Sequence, residues 1–481
     1  MSIWKKEICM DRPTRFEVKG LFGSRNVDLP INSNAMILVG PNGIGKSCVT
    51  NIFYFFISRQ WARLVQYDFT EVAIWFGDEE IRAAREDISG LSQMDKVLRD
   101  INPSSRTSVL LERLRVMGLL EDFMASRIST KVRDSVAQRL GVSLDEIRHL
   151  HYSIRRRFSA LDEGDLFASP RSDIDKKLAK KLPGRTLYLP TYRRIEKDLR
   201  DIFPDLEDRV RTSGVATSPF KLTRSGGHYV DLVSFGMEDV RANIDAKTRY
   251  LRDYSLAQFN NLSGLYLRDV IKGTADQYSP SQISSLDENA LAVILGRVSE
   301  QVLSAEDKAL LRTKIVDMKG KRKGQLEVND LYLAHYFSRL MSASADISRQ
   351  ETEIISFVEV CNAYLKPGKQ LVYDDTKFTV QIIDDSDRPI DLSMLSSGEK
   401  QVVSLFSHLY LDDAEDQVVI IDEPELSLSV PWQKRFLTDI LNSTRCGFVF
   451  SVTHSPFIYQ NELQKSAVDL RLKTSISAEF E

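Results

Sequence analysis

The stretch GPNGIGKS, Gly40–Ser47, follows the apolar run AMILV and precedes the apolar segment VTNIFYFF. A continuous apolar run is typical of a strand buried on both faces of a parallel sheet, and the following segment favours a helix. Glycines between them permit a tight turn whose backbone N–H groups surround an anion at the helix N-terminus. The stretch therefore predicts a phosphate-binding loop in an α/β fold, with a plain glycine-rich turn as the alternative.

This loop supplies the candidate nucleotide-binding residues. The Lys46 ammonium is placed to reach β- and γ-phosphates, and the Ser47 hydroxyl is placed to coordinate Mg²⁺. ATP and Mg²⁺ are therefore the expected ligands. The residues of the loop that we expect to contact them are Gly40, Asn42, Gly43, Gly45, Lys46, Ser47 and Cys48.

A second apolar strand is predicted in VVIIDEPE, Val418–Glu425, which ends in adjacent carboxylates. Open α/β sheets bind ligands beyond the carboxyl ends of their strands. Asp422 would hold Mg²⁺, and Glu423 would orient and activate the attacking water. A strand that ends in a solvated acidic turn is the alternative.

A third apolar strand ends in SVTHSP, Ser451–Pro456. A histidine at this edge can donate a hydrogen bond to the γ-phosphate, which makes His454 a catalytic candidate beside Glu423 and Lys46. A structural histidine with satisfied hydrogen bonds is the alternative.

LSSGEKQ, residues 395–401, stands before an apolar helix pattern and could be a helix cap with a nearby glutamate. Its order with GPNGIGKS, IIDEPE and TH resembles the ABC-class ATPases, which include transporter motors and SMC- and RecF-type enzymes. The resemblance implies an ABC-type ATPase head. It also implies a homodimer or higher oligomer, because in that family this motif contacts the γ-phosphate of a nucleotide held by another subunit. The residues concerned are Ser396, Ser397, Gly398 and Glu399.

The fold class that we predict is α/β, a P-loop NTPase head of ABC type with a large, mainly helical insertion. The head would comprise residues 1–64 and 370–481, and the insertion residues 65–369, where charged helix-favouring segments lack sustained heptads. The β-rich start of RTLYLPTYRRIEKDL, residues 185–199, is interpreted as a strand that returns to the head.

VKGLFGSRNVDLP, LPTYRRIEKDL and DEPELSLSVPWQ resemble, more narrowly, the ATPase subunit (PtuA) of Septu anti-phage systems and the ATPases of some retrons. That resemblance implies a separate HNH nuclease, nucleic acid bound through the complex and, in retron-type systems, a reverse transcriptase and its DNA.

Ser429 departs from the family, which usually has a histidine there. No glutamine loop is evident; Arg193 and Arg194 are candidates for a phosphate or partner contact, or else solvated residues.

Composition excludes several classes. A net charge of −3 opposes a wholly nucleic-acid-binding surface, and the four scattered cysteines disfavour a zinc site. The charged N-terminus and the lack of a long apolar run predict a cytoplasmic protein without a membrane partner.

An SMC- or RecF-like DNA-repair ATPase is the alternative function, and a transporter motor is a third. No nuclease motif of its own is evident. Basic stretches that could contact DNA, or be solvated faces, are residues 155–157, 176–181 and 319–323.

Overall fold

The computed structural model describes most of the chain in two compact units. The first unit combines residues 1–235 with 413–481, and the second spans residues 236–412. Most residues between 89 and 170, together with Arg193 and Arg194, lie outside the described residues. The described residues are 11–88, 137, 142–145, 147–148, 171–190, 225–226, 229–231, 237–273, 288–297, 303–319 and 327–476.

Strands predominate in the first unit, and long helices dominate the second. The strands are β1 Arg15–Leu21, β2 Arg25–Pro30, β3 Ala35–Val39, β4 Glu71–Phe76, β5 Glu79–Ala84, β6 Thr186–Leu189, β7 Ser225–Gly226, β8 Tyr229–Asp231, β9 Lys369–Asp374, β10 Thr379–Asp384, β11 Pro389–Ile390, β12 Gln417–Asp422, β13 Cys446–Val452, β14 Ala467–Asp469 and β15 Thr474–Ile476. The helices are α1 Lys46–Ile57, α2 Trp61–Leu64, α3 Arg171–Lys181, α4 Glu238–Ile271, α5 Glu288–Gly296, α6 Ala305–Lys319, α7 Val328–Leu365, α8 Ser397–Tyr410 and α9 Val430–Leu441.

The first unit contains a mainly parallel sheet in the order β14-β3-β13-β12-β6-β8-β7. Strands β12 and β13 are buried along their whole length, as expected for parallel strands covered on both faces. The register places Leu38 opposite Val452, and Val452 opposite Asp422. The ends of β3, β13 and β12 therefore meet at one edge of the sheet, as the sequence predicts.

A second sheet in this unit is antiparallel, in the order β15-β2-β1-β4-β5. Helix α1 packs against both sheets: the Phe53 ring lies 5.0 Å from Phe16 of β1 and 4.5 Å from Phe450 of β13. All three rings are almost completely buried. Burial of each such side chain contributes roughly 1.5–3 kcal/mol, so the helix that follows the phosphate loop is firmly fixed between the sheets.

Strand β6 brings the middle of the chain into the parallel sheet. It pairs in parallel with β12 on one side and with β8 on the other. Gly184 precedes it at a very close backbone approach, because a Cβ at that position would lie 2.0 Å from the Asp416 carbonyl oxygen. A residue with a side chain would push the two segments apart, so glycine is required where the chain enters the sheet.

The second unit is built on the long helices α4 and α7. An apolar cluster joins them to α5 and α6 through Leu262, Leu291, Ile315 and Phe337. A buried ion pair joins Arg297 to Glu351 at 2.7 Å, and the Tyr373 hydroxyl donates to the same carboxylate. Strands β9, β10 and β11 form a separate antiparallel sheet in the order β11-β10-β9, and both β9 and α8 pack on α7.

The unit boundaries differ from the boundaries expected at residues 64 and 369. Strand β4 pairs with β1, so the chain beyond residue 64 continues in the first unit. Residues 370–412 belong to the second unit, because β9 and α8 pack on α7. The expectation of a mainly helical insertion from residue 65 missed strands β4 and β5, and hydrophobic periodicity could not show that β9 and α8 pack on α7.

The far end of α8 carries a buried histidine between two carboxylates. His408 Nε2 lies 3.5 Å from Asp239 of α4, and its Nδ1 lies 3.5 Å from Asp412. Burial alone lowers the pKa of His408, but the hydrogen bonds and charges of Asp239 and Asp412 outweigh it and raise the pKa above its ordinary value. Protonation of His408 therefore stabilises the packing of α8 on α4.

We expect the His408→Gln variant to lose this pH-dependent stability. Because the pKa of His408 is higher in the folded state, its contribution is complete below the unfolded-state value of about 6.5 and disappears as pH rises through the folded-state pKa. Urea unfolding of both proteins across this range measures the difference. Wild type should lose stability relative to the variant as pH rises; parallel curves would contradict the assignment.

Candidate functional site

The phosphate loop has the conformation that its glycines permit. Gly40, Gly43 and Gly45 have φ values of 147°, 79° and 103°, a region that strains other residues. Gly45 is the N-cap of α1 and has no side chain that could cap the helix. The start of the helix therefore offers only backbone groups. The arrangement suits an anion, since N–H groups and the positive end of the helix dipole coincide there.

Lys46 is turned back into this loop. Its Nζ donates to the carbonyl oxygens of Gly40 at 2.8 Å and Pro41 at 2.9 Å. Burial lowers the pKa of Lys46, and nearby carboxylates, led by Glu423 and Asp422, only partly offset this effect. The ammonium therefore lacks a direct charged hydrogen-bond partner among the described residues and is held where a phosphate would supply one.

Ser47 and Asp422 come together from opposite ends of the chain. The Ser47 hydroxyl donates to Asp422 Oδ1 at 3.4 Å. Asp422 is 3% exposed at the end of β12, whereas Ser47 is exposed at the first turn of α1. A hydroxyl and a carboxylate are hard oxygen donors, which is the ligand chemistry that Mg²⁺ prefers.

Cys48 follows Ser47 on α1 and is half-buried. Burial raises the pKa of its thiol to about 11. The thiol is therefore protonated near neutral pH and is no nucleophile, which leaves backbone contact as its expected part in the loop.

Glu423 has an unusual backbone for a non-glycine residue, with φ 51° and ψ 63°. Left-handed conformations of this kind cost on the order of 1 kcal/mol and cluster at functional sites. Its pKa is raised, first by burial and then by the negative charges of Asp422 and Glu425. A carboxylate with a raised pKa is a better proton acceptor than an ordinary one, as a residue that activates water must be.

His454 lies beside Glu423, with its Nε2 at 3.7 Å from Glu423 Oε1. The structure thus brings together, in one unit, all three residues expected to be catalytic: Lys46, Glu423 and His454. The His454 side chain is about one-third exposed, whereas its backbone N–H donates to Glu425 Oε1 at 2.6 Å. The loop is therefore anchored through its backbone, and the imidazole is accessible.

The motif at residues 395–401 lies in the second unit and forms a helix cap. The Ser396 hydroxyl accepts from the Glu399 N–H, and Glu399 Oε2 accepts from the Ser396 N–H at 2.6 Å. Lys369 donates to the same Glu399 oxygen at 2.8 Å. The alternative interpretation as a capping box is therefore correct as local structure. Ser397 is exposed in the first turn and Gly398 is buried; their contact with a phosphate stays a prediction.

The remaining candidates are distributed as follows. In the stretch 176–181, Lys177 pairs with Asp173, and Lys181 pairs with Asp11 and Glu79. These pairs neutralise much of the positive charge of the stretch. Ser429, the departure from the family pattern, is the N-cap residue of α9. Residues 155–157, 191–199 and 320–323 lie outside the described residues.

Three residues beside the catalytic candidates were not found from the sequence. Glu425, Gln433 and Ser455 form hydrogen bonds that connect the loop after β12, helix α9 and the loop after β13. The third carboxylate of DEPE was the only available signal for Glu425. Gln433 and Ser455 have ordinary polar positions in a helix and a loop, and nothing in the sequence indicates that they meet.

The comparison with family models finds one match. The model described as "AAA domain, putative AbiEii toxin, Type IV TA system" matches residues 248–459. The match includes the capped motif, the Asp422–Glu423 pair and His454, and excludes the phosphate loop. Protein ea59 of Escherichia phage lambda is 29% identical over 136 residues, which are 28% of this chain and 25% of that protein. The chain therefore spans about a quarter of that relative.

Similar solved structures include heads of Smc proteins. An Smc head from Pyrococcus furiosus, bound to the C-terminal domain of ScpA, is 13% identical with a TM-score of 0.33, covering 97% of this chain and 95% of that one. Another Smc head, bound to the C-terminal winged helix domain of ScpA, is 12% identical with a TM-score of 0.36, covering 97% and 96%. A head from Pyrococcus yayanosii is 16% identical with a TM-score of 0.30 and the same coverage.

TM-scores this low do not establish a shared fold. The assignment of class rests on the molecule itself, in which a parallel sheet carries the glycine loop, Lys46 and the Asp422–Glu423 pair at one edge. Fold and site together define an α/β P-loop ATPase with a large, mainly helical second unit. Within the described part of the chain, no helix is both long and apolar enough to span a bilayer.

Proposed function

We propose that this protein binds and hydrolyses ATP as a subunit of an anti-phage defence complex, and that nucleotide-dependent head-to-head pairing of two copies regulates a separate HNH-type nuclease. The observation that carries the ATPase part is the convergence of Lys46, Ser47, Asp422 and Glu423 at one sheet edge. These residues come from opposite ends of the chain, and each has a distinct task in phosphoryl transfer.

The donor set at this edge fits Mg²⁺ and a nucleotide phosphate. Ser47 and Asp422 would hold the ion, which would neutralise phosphate charge when bound. Lys46 would exchange its two carbonyl partners for phosphate oxygens. Glu423 would accept the proton of the attacking water, and His454 would donate to the γ-phosphate from beside it.

Two features support pairing of heads. The capped motif at Ser396–Glu399 belongs to a different compact unit from the phosphate loop, and Ser397 is exposed at the start of α8. A helix N-terminus with an exposed small residue is suited to a phosphate held elsewhere. We propose that this phosphate is held by the second copy, so that each site requires residues of both chains.

The defence part of the proposal has separate support. The sequence motifs resemble ATPases of Septu and retron systems, and the matching family model carries a toxin–antitoxin description. A nuclease that cuts nucleic acid is the expected partner, together with a reverse transcriptase and its DNA in a retron-type system. Positive charge for direct DNA contact is weak on the described stretch 176–181, which favours nucleic acid bound through the complex.

The first test replaces the proposed base. We expect Glu423→Gln to lower the steady-state rate of ATP hydrolysis by about 100-fold or more, because a neutral amide cannot accept the proton. Since bound ATP then persists, the ATP-dependent dimer should become detectable by light scattering after size-exclusion chromatography.

The control is Glu462→Gln, which changes an exposed carboxylate of the same unit and should hydrolyse ATP like wild type. Hydrolysis by Glu423→Gln at the wild-type rate, with no ATP-dependent assembly, would contradict the assigned mechanism.

A mixing experiment tests whether sites are shared between copies. Ser397→Arg obstructs the exposed first turn of α8 but leaves the Ser396–Glu399 cap in place. Glu423→Gln and Ser397→Arg should each be inactive alone. In a mixed dimer, one site combines two intact halves, so an equal mixture should recover about a quarter of the wild-type rate. No recovery would show that each chain hydrolyses ATP without the other's motif.

The nuclease partner is tested by purification from a cell that carries the neighbouring genes. We expect tagged wild-type protein to co-purify with a stoichiometric HNH-type nuclease identified by mass spectrometry. Glu423→Gln should retain or increase this association. Recovery of the protein alone, with DNA retained only in ATP, would contradict the defence role and favour a DNA-repair ATPase.

A further inference from the structure

The Glu425 carboxylate holds the loop that carries His454. Its Oε1 accepts from the backbone N–H groups of His454 at 2.6 Å and Ser455 at 3.2 Å. Its Oε2 accepts from the Thr453 hydroxyl at 2.7 Å. One side chain thus binds three consecutive residues immediately after β13, and charge-assisted hydrogen bonds of this kind are about twice as strong as neutral ones.

The same loop is also joined to Glu423. The Glu423 N–H donates to the Val452 carbonyl at 2.9 Å, one residue before Thr453. Glu423 and Glu425 are therefore both fixed to the end of β13, the first through its backbone and the second through its side chain. This double attachment maintains the left-handed backbone of Glu423 and sets the 3.7 Å separation of its carboxylate from His454.

The attachment continues into helix α9. The Ser455 hydroxyl donates to Gln433 Oε1 at 2.6 Å, and Gln433 Nε2 donates to the Leu428 carbonyl at 2.8 Å. Gln433 is buried. The loop after β12 and the loop after β13 therefore form a closed hydrogen-bonded ring with α9, in which Glu425 supplies most of the contacts to the His454 loop.

We propose that Glu425 is a positioning residue for ATP hydrolysis, which acts by holding His454 against Glu423 rather than by touching the nucleotide. The inference rests on the proposed function. It depends on the reach of the side chain, because the three donors lie on one loop at hydrogen-bond distance. Its negative charge strengthens these bonds, but an amide oxygen of the same length can still accept from the two backbone N–H groups and so hold the loop.

Two variants separate reach from charge. Glu425→Asp keeps the charge and shortens the side chain by one methylene, so that it withdraws from the loop. Glu425→Gln keeps the length and removes the charge. We expect Glu425→Asp to lower kcat about 30-fold, with KM for ATP changed less than about threefold, because misplacement by about 1 Å slows the chemical step without removing nucleotide contacts. Glu425→Gln should retain kcat within about threefold.

A double variant shows whether Glu425 acts through the histidine. If it does, Glu425→Asp should add less than about twofold to the loss in His454→Ala, because the positioned group is already absent. Single-turnover rates with radiolabelled ATP measure these small values. Glu462→Ala, the loss of an exposed carboxylate in the same unit, is the matched control, and thermal unfolding verifies that each variant is folded.

The outcomes are decisive in both directions. The inference is supported if kcat falls in Glu425→Asp and is retained in Glu425→Gln, and if the losses in the double variant are not additive. Equal loss in both variants, loss only in Glu425→Gln, no loss in either, or additive losses with His454→Ala overturn it. Failure of the proposed function has a different result, since the wild-type protein would then hydrolyse no ATP at all.

Discussion

The pairing of β13 with both β3 and β12 is the constraint on which the rest of the first unit depends. Strand β3 comes from the start of the chain, and the other two come from its end, yet the register aligns Leu38, Val452 and Asp422 across the sheet. Because these strands are parallel, their carboxyl ends share one edge. The phosphate loop, the paired carboxylates and the histidine loop follow directly from those three ends.

Burial of charge gives this edge its chemical character. Lys46 and Asp422 are each at most 5% exposed, and burial lowers the pKa of Lys46 while it raises that of Glu423. Each effect disfavours the charged form of its group, and an anionic ligand would give the Lys46 ammonium a charged partner. The left-handed backbone of Glu423 adds strain that the attachment to β13 offsets. The site is thus arranged for a ligand more than for stability.

The second unit is built from long helices, and a few polar side chains fix the capped motif at the start of α8. Glu399 accepts both from the Ser396 N–H and from Lys369 of β9, so the start of α8 is fixed by the sheet β11-β10-β9. Its other end is fixed by His408 and Asp239. The position of Ser397 at the start of α8 therefore depends on residues distant in sequence.

The three strand ends and the residues on them could be read from local sequence patterns. Glycines at positive φ, an apolar run before them and carboxylates after a buried run are local requirements, so Lys46, Ser47, Asp422 and Glu423 could be identified without coordinates. Three features became visible only in the folded chain: β6 pairs with β12, residues 370–412 belong to the second unit, and Glu425 holds the His454 loop. Those outcomes depend on contacts between distant segments, and hydrophobic periodicity specifies that a face is buried without specifying its neighbour.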